Sequence, residues 1–236
     1  MTEHIVRSYD QDLETLRRSI AEMGGIAEKM LAEAVDALVM RKVDLARKVI
    51  GADKRLDILQ REIEEKAIYT IARRQPLAVD LRETVSVIRI AGDIERIGDL
   101  SKNIAKRAIA IADLFQAPQR PLNGLRQMSV LVQSQLKAVF DAYASGDAAA
   151  AIEVWSRDGE IDALNTSLFR ELLTYMMEDP RHITFCTHLL FCTKNIERIG
   201  DHATNIAETI HYLVTGTTLD VDRPKGDNAA SLTHLD

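Results

Sequence analysis

The chain has 236 residues, 46% of them hydrophobic, with 30 basic and 36 acidic side chains and a net charge of −6, giving a pI near 5.6. That is enough apolar material for a real core, and the acidic balance leaves no basic footprint for nucleic acid or anionic lipid. No apolar run approaches the roughly 18 residues a bilayer span needs, and Met1-Thr2-Glu3-His4 lacks the order of a signal peptide, so a cytoplasmic protein is expected, meeting membranes only through protein partners.

Aromatics make up 5% of the chain, with 11 Gly and 5 Pro, and Ala, Leu, Glu and Arg, which lose little rotamer freedom in a helix, dominate. An all-α fold is expected. Leu13, Leu16, Ile20, Met23, Ala27, Met30, Ala34 and Leu38 recur every three or four positions between residues 10 and about 41, the stripe of an amphipathic helix in a bundle. A second pattern spans about 44 to 74 and stops at Gln75-Pro76, since proline lacks an amide hydrogen and restricts the residue before it. A third runs from about 77 to 115. Pro118 and Pro121 mark a linker, after which Leu125, Met128, Val132, Val139 and Tyr143 form a fourth helix ending at Ser145-Gly146. The fifth is expected as one helix from Asp147 to Glu178, and the sixth runs from the turn at Pro180 to about Gly216. Residues 217–236, rich in Thr, Asp, Asn and Gly, are expected to be a disordered tail. Cys186 and Cys192 point to different sides of the sixth helix and are expected to be half-buried reduced thiols.

The order of the first half returns in the second. Asp53 and Asp57 match Asp158 and Asp162 at one constant offset, and residues 94–105 match 196–207 at an offset three shorter, the difference falling in the turn. Ile-Glu-Arg-Ile-Gly-Asp is identical in both copies and Asn-Ile-Ala follows each. The organisation expected is two tandem three-helix bundles related by internal duplication, 1–117 and 122–216, then the tail.

On a helix Glu95 and Asp99 lie one turn apart, about 6 Å along the axis, with Asn103 a turn further; Glu197, Asp201 and Asn205 repeat the row. One such pair alone is ordinarily a solvated face. The helices flanking Pro76, and those flanking Pro180, must however run antiparallel as hairpins. Counting outward from each turn sets Asp57 beside Glu95 and Asp53 beside Asp99, then Asp162 beside Glu197 and Asp158 beside Asp201. Four carboxylates at one level repel one another unless a cation neutralises them, so these eight are the candidate metal ligands. Carboxylates without cysteine or paired histidine favour hard or borderline ions and do not choose among iron, manganese, magnesium, zinc and calcium. Glu28 and Glu33 on the first helix lie near the level of the first set, where the second half has Gln133 and Ala138, so the two sites need not hold equal numbers of ions. His202, with Leu100 in its place in the first copy, points about 100° from Asp201 and reads as a surface or hydrogen-bonded histidine. Gly98 and Gly200 each cost roughly 1 kcal/mol inside a helix, which asks for close packing or the approach of an ion.

Residues 75–82, Gln-Pro-Leu-Ala-Val-Asp-Leu-Arg, precede Ala91-Gly92-Asp93-Ile94-Glu95-Arg96-Ile97-Gly98-Asp99, which is repeated as Asn195-Ile196-Glu197-Arg198-Ile199-Gly200-Asp201-His202-Ala203. With Tyr9-Asp10-Gln11-Asp12-Leu13 opening a long helix, this pattern resembles the PhoU family of phosphate-uptake regulators over nearly the whole chain. The second half departs from it in lacking Asp-Leu-Arg after its turn. The resemblance implies a cytoplasmic, non-enzymatic negative regulator of the phosphate-starvation response, binding multinuclear metal clusters through both Glu-x-x-x-Asp motifs. It implies as partners the ATP-binding subunit of the phosphate-specific ABC transporter, the sensor histidine kinase of the phosphate response, and a second copy of the chain in a homodimer. Two other readings compete. A carboxylate-bridged dimetal oxidase typically needs Glu-x-x-His on two helices, which neither motif supplies; a metal-free helical adaptor would use the acidic rows only to bind arginines of neighbours.

Overall fold

The computed structural model of the chain describes residues 2–114 and 118–219, the side chains of 2–10 and 158 excepted. All but the first three residues of the expected tail therefore lie outside the described residues. Among the described residues every regular element is helical: α1 (Thr2–Met40), α2 (Val43–Arg74), α3 (Val79–Ala110), α4 (Arg120–Ser145), α5 (Ala148–Ser156), α6 (Asp158–Glu178), a 3-10 turn at Pro180–His182, and α7 (Ile183–Thr215).

Helix ends follow local chemistry. Gly146 and Gly216 close α4 and α7 with φ of 65° and 79°, a conformation that suits a residue without a Cβ. Asp147 caps α5 by accepting from the amides of Ala149 and Ala150 at 2.9 and 3.0 Å. The fifth helix departs from expectation, for it is broken at Arg157 into α5 and α6. Ser156, Asp158 and Gly159 are weak helix formers, and here the Ser156 hydroxyl turns back onto the Glu153 carbonyl at 2.9 Å while the Arg157 amide bonds Val154 at 3.2 Å.

Helices α1, α2 and α3 pack as one unit, and α4, α5, α6 and α7 as a second. The halves are not separate bodies: α3 lies along α7 and α1 against α4, so each half offers the same two helices to the other. One hydrophobic core runs through both, with Leu16, Ile20, Met23, Ile90 and Ile94 of the first half and Leu136, Leu189, Ile196 and Ile199 of the second fully buried. At roughly 1.5–3 kcal/mol for each such side chain, burial in this core is the main force holding the fold together. Because α7 is packed by α3, α4, α5 and α6 together, both thiols are fully buried, where half-burial was expected. They are free cysteines, and burial pushes the Cys192 thiol up to about 12.

Candidate metal centre

In the first half Asp53 and Asp57 come from α2, and Glu95 and Asp99 from α3. Asp53 is buried at 5% exposure. Burial pushes the Glu95 carboxyl up; the charges of Asp99, Asp57 and Asp53 push it further, with Arg96 opposing. The outward count from Pro76 thus brings Asp53 and Asp57 of α2 near enough for their charges to act on Glu95 of α3. One cation of the chain itself already stands among them. Lys102, three residues beyond Asp99 on the same helical face, places its Nζ 2.5 Å from Asp53 Oδ2 and 2.5 Å from Asp99 Oδ1, tying α2 to α3. Burial alone lowers the pKa of that ammonium, but its hydrogen bonds to Asp53 and Asp99 and their charges outweigh burial and raise it. Arg96 flanks the row from outside, 3.6 Å from Glu95 and 3.7 Å from Asp99.

Neither Glu28 nor Glu33 joins this set. Glu33 takes Lys48 at 2.8 Å. Glu28 sits on the face of α1 that meets α4, where burial pushes its carboxyl up, Lys137 opposes and Asp141 adds.

In the second half Asp162 stands on α6, with Glu197 and Asp201 on α7. Burial pushes the Glu197 carboxyl up, Lys194 opposes, and the charges of Asp201 and Asp162 add. Lys194 lies 2.6 Å from Glu197 on its own helix. The expected partner of Asp201, the Asp158 carboxylate, lies outside the described side chains. Position 204, which matches Lys102, is a threonine whose hydroxyl donates to the Gly200 carbonyl at 3.1 Å.

Both motif glycines have a packing reason. Leu56 Cδ1 occupies the space a Cβ on Gly98 would need, and Ile161 Cδ1 stands 3.0 Å from where a Cβ on Gly200 would be. An oxygen lies beside each glycine as well: Asp53 Oδ1, 3.8 Å from that point in the first half, and Gln135 Oε1, 3.6 Å from it in the second. Gln135, on α4, is 3% exposed and its Oε1 is buried without a hydrogen bond. His202 is hydrogen-bonded, as its placement suggested: its Nδ1 lies 2.8 Å from Asp93 Oδ1 of α3, to which Asn205 also donates at 3.4 Å.

Among the described residues no three Asp, Glu, His or Cys side chains converge on a point that could hold one ion as they stand. The donors are all oxygens, which suits a hard cation. In the first half an ammonium already bridges two of them. In the second, the charges of Asp201 and Asp162 add to the upward push on Glu197, and a buried acceptor, Gln135 Oε1, stands beside Gly200 of the same helix without a hydrogen bond. Sequence reasoning missed both Lys102 and Gln135. The change from Lys102 to Thr204 inside an otherwise repeated motif, and a glutamine on the apolar stripe between Val132 and Val139, were the signals that could have found them.

Fold and site together define a class: duplicated helical-bundle proteins with an acidic row on the last helix of each repeat, and with no described helix long and apolar enough to cross a membrane. The family model described as the PhoU domain matches twice, over residues 20–108 and 125–210, and the chain belongs to the PhoU family. It is 57% identical over 229 residues, 97% of this chain and 96% of the other, to the phosphate-specific transport system accessory protein PhoU homolog of Rhizobium meliloti. The crystal structure of PhoU from Pseudomonas aeruginosa is similar with a TM-score of 0.85 at 38% identity, covering 89% of this chain and 100% of that one. That of the phosphate transport system regulatory protein PhoU from Streptococcus pneumoniae gives 0.82 at 27%, covering 90% and 100%.

Proposed function

We propose that this chain is a regulatory accessory of a phosphate-specific transport system, working in the cytoplasm as a homodimer and without catalysis of its own. It takes the state of the transporter from the ATP-binding subunit, passes it to the sensor histidine kinase, and holds the starvation response off while phosphate is plentiful. The observation that carries this reading is the family match to both halves, together with a relative 57% identical over nearly its whole length whose name is that of a phosphate-transport accessory protein. The acidic surface leaves control to pass through proteins rather than through DNA. Metal belongs to the same proposal. Asp162, Glu197, Asp201 and Asp158 with Gln135 would hold a hard cation between α4, α6 and α7, and Glu95, Asp99, Asp57 and Asp53 one between α2 and α3. The ion would neutralise carboxylates that otherwise repel.

A second reading is favoured in the first half by one observation: Lys102 already supplies the neutralising charge, as a metal-free adaptor would require. Metal analysis of protein purified without chelator separates the two readings. For the regulatory role, a clean deletion carrying a starvation reporter is expected to be switched on in phosphate-rich medium. Normal repression there would overturn it.

A further inference from the structure

Helices α3 and α7 run antiparallel along the seam between the halves, since Asp93 meets His202 while Arg107 meets His188, so the seam has two ends that the duplication relates. At one of them, where α3 begins and α7 ends, a cleft of about 790 Å³ opens between α1, α3, α4 and α7 over Ile20, Phe140 and Leu213. Its polar walls include Arg17, Glu83 and Tyr143. At the offsets that carry Asp53 to Asp158 and Ile94 to Ile196, these three fall on Leu122, Phe185 and Leu38, all buried in the core at 2% exposure or less. Hydrocarbon fills those places at one end of the seam, and polar groups line a hollow at the other. Gly25 widens that hollow. It lies well inside α1, where glycine disfavours the helix, yet nothing stands within 4 Å of the point its Cβ would take.

The charges lining the cleft leave one cation over at its α3 end. Arg18 is paired with Glu14 at 3.0 Å and Arg17 with Glu83 at 2.7 Å, and at the far mouth Lys137 answers Asp141 and Glu28. Arg82 meets no carboxylate among the described residues. Its guanidinium lies 5.9 Å from the centroid of the Tyr212 ring at the end of α7, and its Nε is buried without a hydrogen bond. Tyr143 is a second donor without an acceptor: its hydroxyl is buried and unbonded, near enough to Arg17 and Glu83 for both charges to act on it. We propose that this cleft binds a small organic anion, its apolar body over Ile20, Phe140 and Leu213 and its anionic head between Arg17 and Arg82. The volume, the apolar floor and the few polar groups are those of small-molecule sites between helices of a bundle. As the head draws Arg17 from Glu83, whose side chain is 11% exposed, the Tyr143 hydroxyl donates to that carboxylate in place of the guanidinium. The site shares no residue with the acidic rows and stands whether or not they hold metal.

The test is dye binding by the full chain, with anilinonaphthalene sulfonate as the organic anion and phenylnaphthylamine as the same body without its charge, each followed by fluorescence well below the melting temperature. Wild type should bind the anion at one site, about tenfold or more tightly than the neutral dye. Arg82→Gln should weaken the anion by about tenfold and leave the neutral dye unchanged. Gly25→Leu, which fills the hollow from α1, should abolish binding of both dyes while melting no lower than wild type. Tyr143→Phe removes a hydroxyl that bonds nothing in the free protein, so it should melt at or above wild type and yet bind the anion more weakly, because Glu83 is left bare when Arg17 turns to the head. Equal affinity of wild type for the two dyes, or anion binding that Arg82→Gln and Gly25→Leu both leave as it was, would overturn the proposal, as would a folded wild type that binds neither dye. Undiminished binding by Tyr143→Phe would overturn the exchange at Glu83.

Discussion

In the first half Lys102 crosses from α3 toward α2 and sits between Asp53 and Asp99; in the second, Lys194 stays near the surface and Thr204 carries no charge. The repeated motif keeps its carboxylates in sequence, while Lys102 is replaced by Thr204. Packing explains what stayed. Ile94, Ile97 and Gly98, like Ile196, Ile199 and Gly200, are buried against neighbouring helices, where a change of one methylene is felt. Neutralisation asks only that a positive charge come near, so a long flexible side chain can provide it from more than one position on a helix.

The seam between the halves shows the same divergence. Asp93 accepts from His202 and Asn205 of α7, while the matching residues are Asn195, Leu100 and Asn103, and leucine, in the place of His202, has no hydrogen bond to give. Asp93→Ala leaves a half-buried imidazole and an amide without their shared acceptor, and should destabilise the protein by about 1–3 kcal/mol. Asn195→Ala, its counterpart, should fall within about 0.5 kcal/mol of wild type. Urea unfolding of the two variants measures the contrast. Equal losses would break it, and would mean that the Asp93 bridge contributes no more than its silent twin.

What the sequence made legible is the part set by periodicity and turn position. Apolar stripes gave the helices, and the outward count from Pro76 brought Asp53 and Asp57 to Glu95 and Asp99 because an antiparallel hairpin has one register. What it hid depends on contacts between elements far apart in the chain. Nothing local says that Asp93 meets His202, 109 residues away, or that Glu28 turns toward α4 rather than toward the carboxylates of α2 and α3. The break at Arg157 was hidden for another reason: the apolar stripe continues across it, and only the weak propensities of Ser156, Asp158 and Gly159 oppose.

The glycines give a smaller contrast. Alanine at either position gains roughly 1 kcal/mol of helix propensity. At Gly98 the new methyl lands where Leu56 Cδ1 is, so a core side chain must move, at about 1–3 kcal/mol. At Gly200 Ile161 Cδ1 is 3.0 Å off and must yield by only a few tenths of an ångström. Gly98→Ala should therefore lower stability by about 1 kcal/mol, on the balance of these terms, and Gly200→Ala should be near neutral or slightly stabilising. Chevron or equilibrium melts of both decide it. The reverse order would mean that an ion's approach, rather than Leu56, keeps Gly98 without a side chain.

The smallest effect is expected at the two hairpin turns. The first is closed by Gln75 with φ of 49° and by Ala78 with φ of 46°, and no side chain caps the start of α3. In the second, Asp179 accepts from the Arg181 amide and holds its guanidinium through both oxygens, at 2.7 to 3.0 Å. These bonds hold the Asp179 carboxyl at about 2, down from 3.8. A depressed carboxyl stabilises the fold above its unfolded value and loses that contribution as pH falls through the folded one. Asp179→Asn keeps a capping oxygen and removes only the charge. The melting temperature of wild type should thus exceed that of the variant at neutral pH, by a small margin since the pair is exposed. The gap should begin to close below about 3.8 and vanish below about 2. Glu95 and Glu197 pull the other way, because their raised carboxyls favour the fold more as pH falls through their folded values toward 4.5. That trend is common to wild type and variant, so the difference between them isolates the second turn. A gap that stays constant from pH 7 down to the acid limit would show that the capping geometry alone distinguishes this turn from the first, and that the charge on Arg181 adds nothing to it.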